Sequence, residues 1–235
     1  TGVETAENLI HRGFEVTLVE MADQALAPLD VEMARVVEGH LERHGVKLAL
    51  NDGVAAFEKA DGALKVSTRS GKAYPADVVI LALGVKPDTE LAKTAGLQIG
   101  ERGGIRVDEQ MRTSNPDIFA VGDAVEVKDV VTGESRIIPL AGPANRQGRI
   151  AADVIAGRNS RFRGTQGTAI IGMFGAAAAW TGVNEKTLRR RGDTDYEKVY
   201  LYPNSHAGYY PGARPIALKV IFRKSNGKLL GAQAL

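Results

Sequence analysis

The segment Thr113-Ser-Asn-Pro-Asp-Ile-Phe-Ala-Val-Gly-Asp123 concentrates more chemistry than any other stretch of this chain. Its Asn-Pro pair turns the backbone, Ile118 to Val121 reads as a short buried apolar strand, and the strand ends in Gly122 followed by an acid. A glycine at a strand end lets the backbone approach a bound group closely. A carboxylate at the carboxyl end of a buried strand accepts hydrogen bonds from hydroxyls on that group. Gly-Asp alone is an ordinary tight turn; the whole pattern aims Asp123 at a ligand.

A second acid stands near the start. Thr1 to Ile10 has a helical pattern, with Val3, Ala6 and Ile10 on one face and Gly13 as its stop; Glu15 to Glu20 then reads as a strand ending in an acid. A helix followed by such a strand is the later half of a Rossmann βαβ unit, whose fingerprint G-x-G-x-x-G precedes an acid by about 20 residues. Gly2 matches the last of those glycines. The earlier strand and the other two glycines are not in the chain, so the sequence reads as an excised piece of a longer protein. On this pattern Glu20 accepts hydrogen bonds from the adenosine ribose of a nicotinamide dinucleotide. Its charge repels a 2′-phosphate, and Met21 and Ala22 supply no arginine to receive one, which favours NADH over NADPH. The plainer reading has Glu20 capping a surface loop.

The elements that must position these acids follow from periodicity and turn chemistry. Asp30 is expected to cap a helix running to about Arg43, with Val31, Ala34, Val37 and Leu41 inward and Gly45 at its end. A strand near Val46 to Leu50 follows. A β-meander then spans Val54 to about Ala73, with turns at Asp61-Gly62 and Ser70-Gly71. The continuous apolar run Asp77 to Gly84 predicts a buried parallel strand that Gly84 closes and Pro87 stops from continuing; it is either a plain strand end or a cofactor edge. In Pro139 to Ala152, Pro143 suits a first helical turn, and the helix is expected to reach Ile155 before Gly157. After a linker near Arg158 to Gly167 the pattern becomes antiparallel α+β: paired strands Thr168 to Phe174 and Ala176 to Thr181, a helix from Asn184 to about Arg191, a strand Glu197 to Tyr202 and an Asn226-Gly227 hairpin.

The Thr113 to Asp123 and Pro139 to Ala152 segments resemble the flavin-contact segments of the FAD-dependent pyridine nucleotide-disulfide oxidoreductases. The branch is the one with a single active-site cysteine: coenzyme A-disulfide reductase, NADH oxidase and NADH peroxidase. The resemblance runs over essentially the whole chain in the family's order. It implies an α/β fold with Rossmann-like, three-layer NAD and FAD portions, parallel sheets and a β-meander, followed by part of an α+β dimerisation domain. The expected boundaries are 1–86 for the NAD(P) portion, 87–160 for the FAD portion and 165–235 for dimerisation. It implies FAD contacts at Gly122, Asp123, Leu140, Ala141 and Ala144, with the amino end of the 143–155 helix facing the flavin ring, and NAD(H) contacts at Gly2, Glu4, Glu20 and Gly84. Asn145 and Arg146 become substrate contacts, although Asn145 also suits a helix cap. Glu4 equally suits a first-turn acid that complements the helix dipole. The loop Ser205-His-Ala-Gly-Tyr-Tyr-Pro-Gly-Ala213 resembles one that carries a tyrosine across the dimer interface in coenzyme A-disulfide reductases. Tyr209 or Tyr210 would then donate a phenolic hydrogen bond to a thiolate; alternatively both are packing aromatics.

Composition sets outer limits. Among the 235 residues the net charge is +2 with both signs mixed, so no broad nucleic-acid or anionic-membrane surface is implied, and Arg189 to Arg191 reads as the polar face of a helix. No apolar run approaches the roughly 18 residues of a membrane span and no signal peptide opens the chain, from which a cytoplasmic location is expected. Absence of cysteine excludes disulfides, thiolate metal sites and a cysteine nucleophile within these residues, and the four histidines show no ligand-like spacing, so no metal is expected. The resulting expectation is a homodimeric flavoprotein moving electrons from NAD(P)H through FAD to a small-molecule disulfide or persulfide, of coenzyme A by the tyrosine loop. The alternatives are an NADH oxidase or peroxidase and, in another class, a non-catalytic nucleotide-binding and dimerisation module.

Overall fold

Val3 and Ala6 bury one face of helix α1 (Gly2–His11), and strand β1 (Thr17–Val19) follows the stop at Gly13. In the computed structural model, which describes residues 1–60 and 62–235, α2 (Val31–Arg43) comes next, then β2 (Lys47–Ala49). Strands β1 and β2 pair in parallel, Thr17 opposite Lys47 and Val19 opposite Ala49. The meander is β3 (Val54–Ala60), β4 (Ala63–Thr68) and β5 (Ala73–Ala76), antiparallel throughout. Its Ser70-Gly71 turn closes with Gly71 N donating to Thr68 O, whereas Asp61 of the other expected turn lies outside the described residues.

Helix α3 (Glu90–Thr94) and strand β6 (Ile105–Arg106) lead to a 3-10 turn at Gly122–Ala124, strands β7 (Val125–Lys128) and β8 (Ser135–Ile137), and helix α4 (Ala141–Ile155). β7 pairs in parallel with β6 and antiparallel with β8. Met111, Val125, Val127 and Phe162 form a core with Ile150, Ala151 and Val154 on one stripe of α4. The remaining elements are β9 (Ala169–Met173), β10 (Ala176–Gly182), α5 (Glu185–Arg190), β11 (Glu197–Leu201), β12 (Leu218–Phe222) and β13 (Leu229–Ala234). Their strands form one sheet in the order β11-β12-β13-β10-β9, whose Met173, Phe174 and Ala178 share a core with Leu29, Met33, Ala34, Val37 and Leu41. The chain divides into two compact units. One comprises Thr1–Leu83, Ile170–Trp180 and Asn184–Leu235, the other Gly84–Ala169 with Thr181–Val183.

Four local expectations are corrected. Asp77 to Gly84 is not a ladder strand, and its Val78, Leu81 and Leu83 are exposed, Leu83 by 87%. A parallel strand is buried only when neighbours take up its N–H and C=O groups on both edges, and no described segment pairs with this run. The same cause affects Ile118 to Val121: a single antiparallel bridge between Arg112 and Phe119 replaces a ladder, and Ile118 and Val121 stay exposed. On α2, Val31 faces solvent and Met33 takes its place inside. Asp30 stands at the N-cap of α2 without making the capping bond; its Oδ2 instead accepts from Glu185 N, at the start of α5, at 3.1 Å.

Candidate functional site

Gly122 adopts φ +85°, a left-handed conformation that only glycine takes without strain, and thereby turns Asp123 outward at the start of the 3-10 turn. Gly122 N donates to the buried Gln147 Oε1 at 2.7 Å, which ties this turn to the second turn of α4. The Asp123 side chain is exposed, and among the described residues nothing bonds or ion-pairs its carboxylate. Helix α4 begins after Leu140, at φ −137°, with no side-chain cap and no acid in its first turn. Its first N–H groups therefore lack intrahelical acceptors and carry the positive dipole end. Ala144 N takes Leu140 O at 3.1 Å, Pro143 has no N–H, and the flank at Gly142 is open, with no atom within 4 Å of where a Cβ would stand. A free carboxylate on a turn that one backbone hydrogen bond ties to an uncapped 15-residue helix suits a ligand with hydroxyls at one end and an electron-rich edge at the other. Those are the donor and acceptor requirements of FAD, so the residues present fit the group. Ala141 is exposed and Leu140 and Ala144 half-buried at this helix start, while Asn145 and Arg146 are exposed one turn on.

In the other unit, Glu20 follows β1 directly. Its Oε1 accepts from Ala22 N at 2.9 Å, so one carboxylate oxygen holds its own loop, and among the described residues the other has no partner. Gly2 opens α1, and a Cβ there would stand 3.3 Å from Ala82 Cβ. Glu4, in the first turn of α1, is half-exposed. Gly84 has φ +83°. Tyr209 and Tyr210 are exposed on the 203–217 loop, their ring centroids 4.9 Å apart. A cavity of about 560 Å³ lined by Asp108, Glu126, Lys128, Arg161 and Phe162 contains none of the predicted site residues.

Two features escaped the sequence reading. Gln147 was detectable only as a polar residue in the apolar stripe it shares with Ile150, Ala151 and Val154. The second is a buried ionic cluster. Lys219 of β12, 0% exposed, places its ammonium 2.8 Å from Asp30 Oδ2 and 2.5 Å from Glu185 Oε1, and also bonds Glu32. Lys198 reaches Glu185 Oε1 at 2.8 Å, and Gln233 Nε2 donates to Asp30 Oδ2 at 2.7 Å. Burial pushes the Glu185 carboxyl up, but hydrogen bonds from Lys198 and Lys219 with their charges outweigh it and hold the pKa down at about 2. Burial pulls the Lys219 ammonium down, and its bonds to Asp30, Glu185 and Glu32 outweigh that and raise it above the ordinary lysine value. The cluster joins the α2 start to the antiparallel sheet and serves packing, since its groups are consumed by one another.

Comparison with known proteins gives the family description "Pyridine nucleotide-disulphide oxidoreductase" for residues 1–148 and its dimerisation domain for residues 169–235. The NAD(P)H sulfur oxidoreductase (CoA-dependent) of Pyrococcus furiosus is 37% identical over 99% of this chain and 52% of its own length. The crystal structure of reduced Bacillus anthracis CoADR-RHD superposes with TM-score 0.94 at 51% identity, over 99% of this chain and 41% of that one. The NAD-dependent persulfide reductase from A. fulgidus superposes with TM-score 0.95 at 44% identity, over 99% and 43%. The chain spans about half the length of the curated relatives it matches. Among the described residues no helix is long and apolar enough to cross a membrane.

Proposed function

Because the chain belongs to the pyridine nucleotide-disulphide oxidoreductase family, we propose that it forms the nucleotide-binding and dimerisation half of a flavoprotein that reduces a disulfide or persulfide, of coenzyme A, with NADH. One observation carries this reading: the unpartnered carboxylate of Asp123, on a turn that Gly122 N ties to Gln147 in the second turn of the uncapped helix α4. Bound FAD supplies the electron relay from nicotinamide to sulfur. Asp123 accepts hydrogen bonds from the ribityl hydroxyls. The first-turn N–H groups of α4, from Ala141 on, hold negative charge at the ring edge through the helix dipole. Leu140 and Ala144 close around that edge, and Asn145 and Arg146 contact the substrate. Gly2 and Glu20 hold the adenosine end of the dinucleotide, with Glu4 and Gly84 toward its nicotinamide end. Tyr209 or Tyr210, carried to the partner subunit's site in a homodimer, donates a hydrogen bond to the leaving thiolate. The protein as a whole then has three parts here, 1–86, 87–160 and 165–235, for NAD(P), FAD and dimerisation. A cytoplasmic location belongs to the same proposal.

Names of relatives support the sulfur chemistry: one is a CoA-dependent sulfur oxidoreductase and another a persulfide reductase. The test is anaerobic NADH oxidation by the protein at its native length, with coenzyme A disulfide as sole acceptor. Turnover is expected. No turnover, with brisk NADH-dependent consumption of oxygen or peroxide, moves the assignment to an oxidase or peroxidase.

A further inference from the structure

The turn between β4 and β5 brings a cation to the loop that follows Glu20. Arg69 opens that turn and folds back over the residue after the acid, its Nη1 3.6 Å from Met21 Sδ, although it stands 48 positions further along the chain. The backbone around it is held on three sides. Arg69 N donates to Gly53 O at 2.8 Å; the Asp52 carboxylate accepts from Ser70 N at 3.0 Å and from Ser70 Oγ at 2.6 Å; and Asp52 N donates to Glu20 O at 3.1 Å, which closes the chain of bonds onto the acid itself. Gly53 lets the two side chains meet, since a Cβ there would stand 3.3 Å from Met21 Cγ and 3.4 Å from Arg69 Nε.

The guanidinium in this place is unused. Asp52 is committed to Ser70, Glu20 Oε1 to Ala22 N, and among the described residues Arg69 has no carboxylate partner, only a thioether, which is a weak acceptor. Its remaining N–H donors face solvent on an exposed residue. A planar guanidinium with free donors beside a ribose-binding acid has the geometry to grip a phosphate bidentately.

Resting on the reading of Glu20 as the acid that binds the adenosine ribose, we propose that Arg69 is a specificity-determining residue. It binds a phosphate on the 2′-oxygen of that ribose, so that the site takes NADPH as well as NADH. The free oxygen of Glu20 serves the unphosphorylated ribose. With a 2′-phosphate present, the repulsion from Glu20 is offset by Arg69 swinging off Met21. Met21 and Ala22 offer no such cation, so the capacity comes from tertiary structure alone.

Calorimetric titration of the native-length protein with 5′-AMP and with adenosine 2′,5′-bisphosphate tests this without any turnover. Arg69→Ala is expected to weaken the bisphosphate by about 10- to 100-fold, the range for a charge-assisted bond to phosphate, while leaving 5′-AMP unchanged. Arg69→Lys, which keeps the charge, recovers part of the loss, and Lys72→Ala, which removes the other cation near Asp52, changes neither ligand. Unchanged bisphosphate affinity in Arg69→Ala, or an equal fall for both ligands, overturns the proposal. If instead 5′-AMP fails to bind the unsubstituted protein, or Glu20→Ala leaves 5′-AMP binding unchanged, the ribose-site reading itself is what fails.

Discussion

Replacing Lys219 by methionine keeps most of the apolar stem and removes the cation from a deeply buried charge cluster. Asp30, Glu32 and Glu185 each present an oxygen within 4.8 Å of the others, and the side chains of Asp30 and Glu185 are nearly inaccessible. At that separation two like charges repel by about 3 kcal/mol for an effective dielectric constant near 20. Lys198 still neutralises part of Glu185. The net loss is therefore expected at about 3–5 kcal/mol, the usual cost of removing one partner from a buried ionic group. For a chain of this size that corresponds to a fall in Tm of about 6–20 °C. Thermal unfolding near pH 7 measures it. Repetition near pH 5 should give a smaller deficit, because a carboxylate forced to share the site without its cation takes up a proton. The exposed pair Lys224 and Glu197, 4.0 Å apart, is the control: Lys224→Met should cost less than about 1 kcal/mol. A Tm for Lys219→Met indistinguishable from that of the control at both pH values would mean that the buried ammonium adds nothing net to stability.

Three further outcomes are expected. Asp123→Ala should weaken FAD by about tenfold or more, as loss of hydrogen bonds to a charged acceptor does; flavin content after gel filtration reads this, and full retention contradicts the assignment. Glu20→Ala should raise the KM for NADH by a similar factor of about ten, and an unchanged KM leaves Glu20 as the cap of its own loop. Glu185, lowered from 4.5 to about 2, gives a signed pH dependence. The unfolded carboxyl takes up a proton first as pH falls, so this group stabilises the fold fully above about 4.5 and loses that contribution progressively toward pH 2. Glu185→Gln should remove this segment of the acid-unfolding curve, and curves that differ only by a constant offset across it would count against the clamp.

What could be read from the sequence was local. The period of α1, α2 and α4 follows from apolar spacing, and Asn184 at the start of α5 does cap it, Oδ1 accepting from Thr187 N at 2.8 Å. Gly122 and Asp123 announced themselves because a left-handed glycine beside an acid is a local pattern. Burial was less legible. Residues 77–84 have the composition of a central parallel strand, but composition cannot supply the pairing edges that burial requires. Asp30 was recognised at a helix start, yet its carboxylate serves Lys219, Gln233 and the start of α5, through contacts some 155 to 203 positions away in sequence. Arg69 beside Met21 and Gln147 beneath Gly122 are of the same kind: each is a polar side chain whose role is set by a distant backbone, with no spacing rule to reveal it.

If Asp123 and α4 serve a flavin that NADH reduces, an anaerobic titration of the protein purified from its source, following the flavin's visible absorbance, will show it. The expected result is a flavin-bearing protein whose absorbance bleaches on adding NADH and returns on adding coenzyme A disulfide. A protein without flavin, or one whose flavin does not respond to NADH, would contradict it.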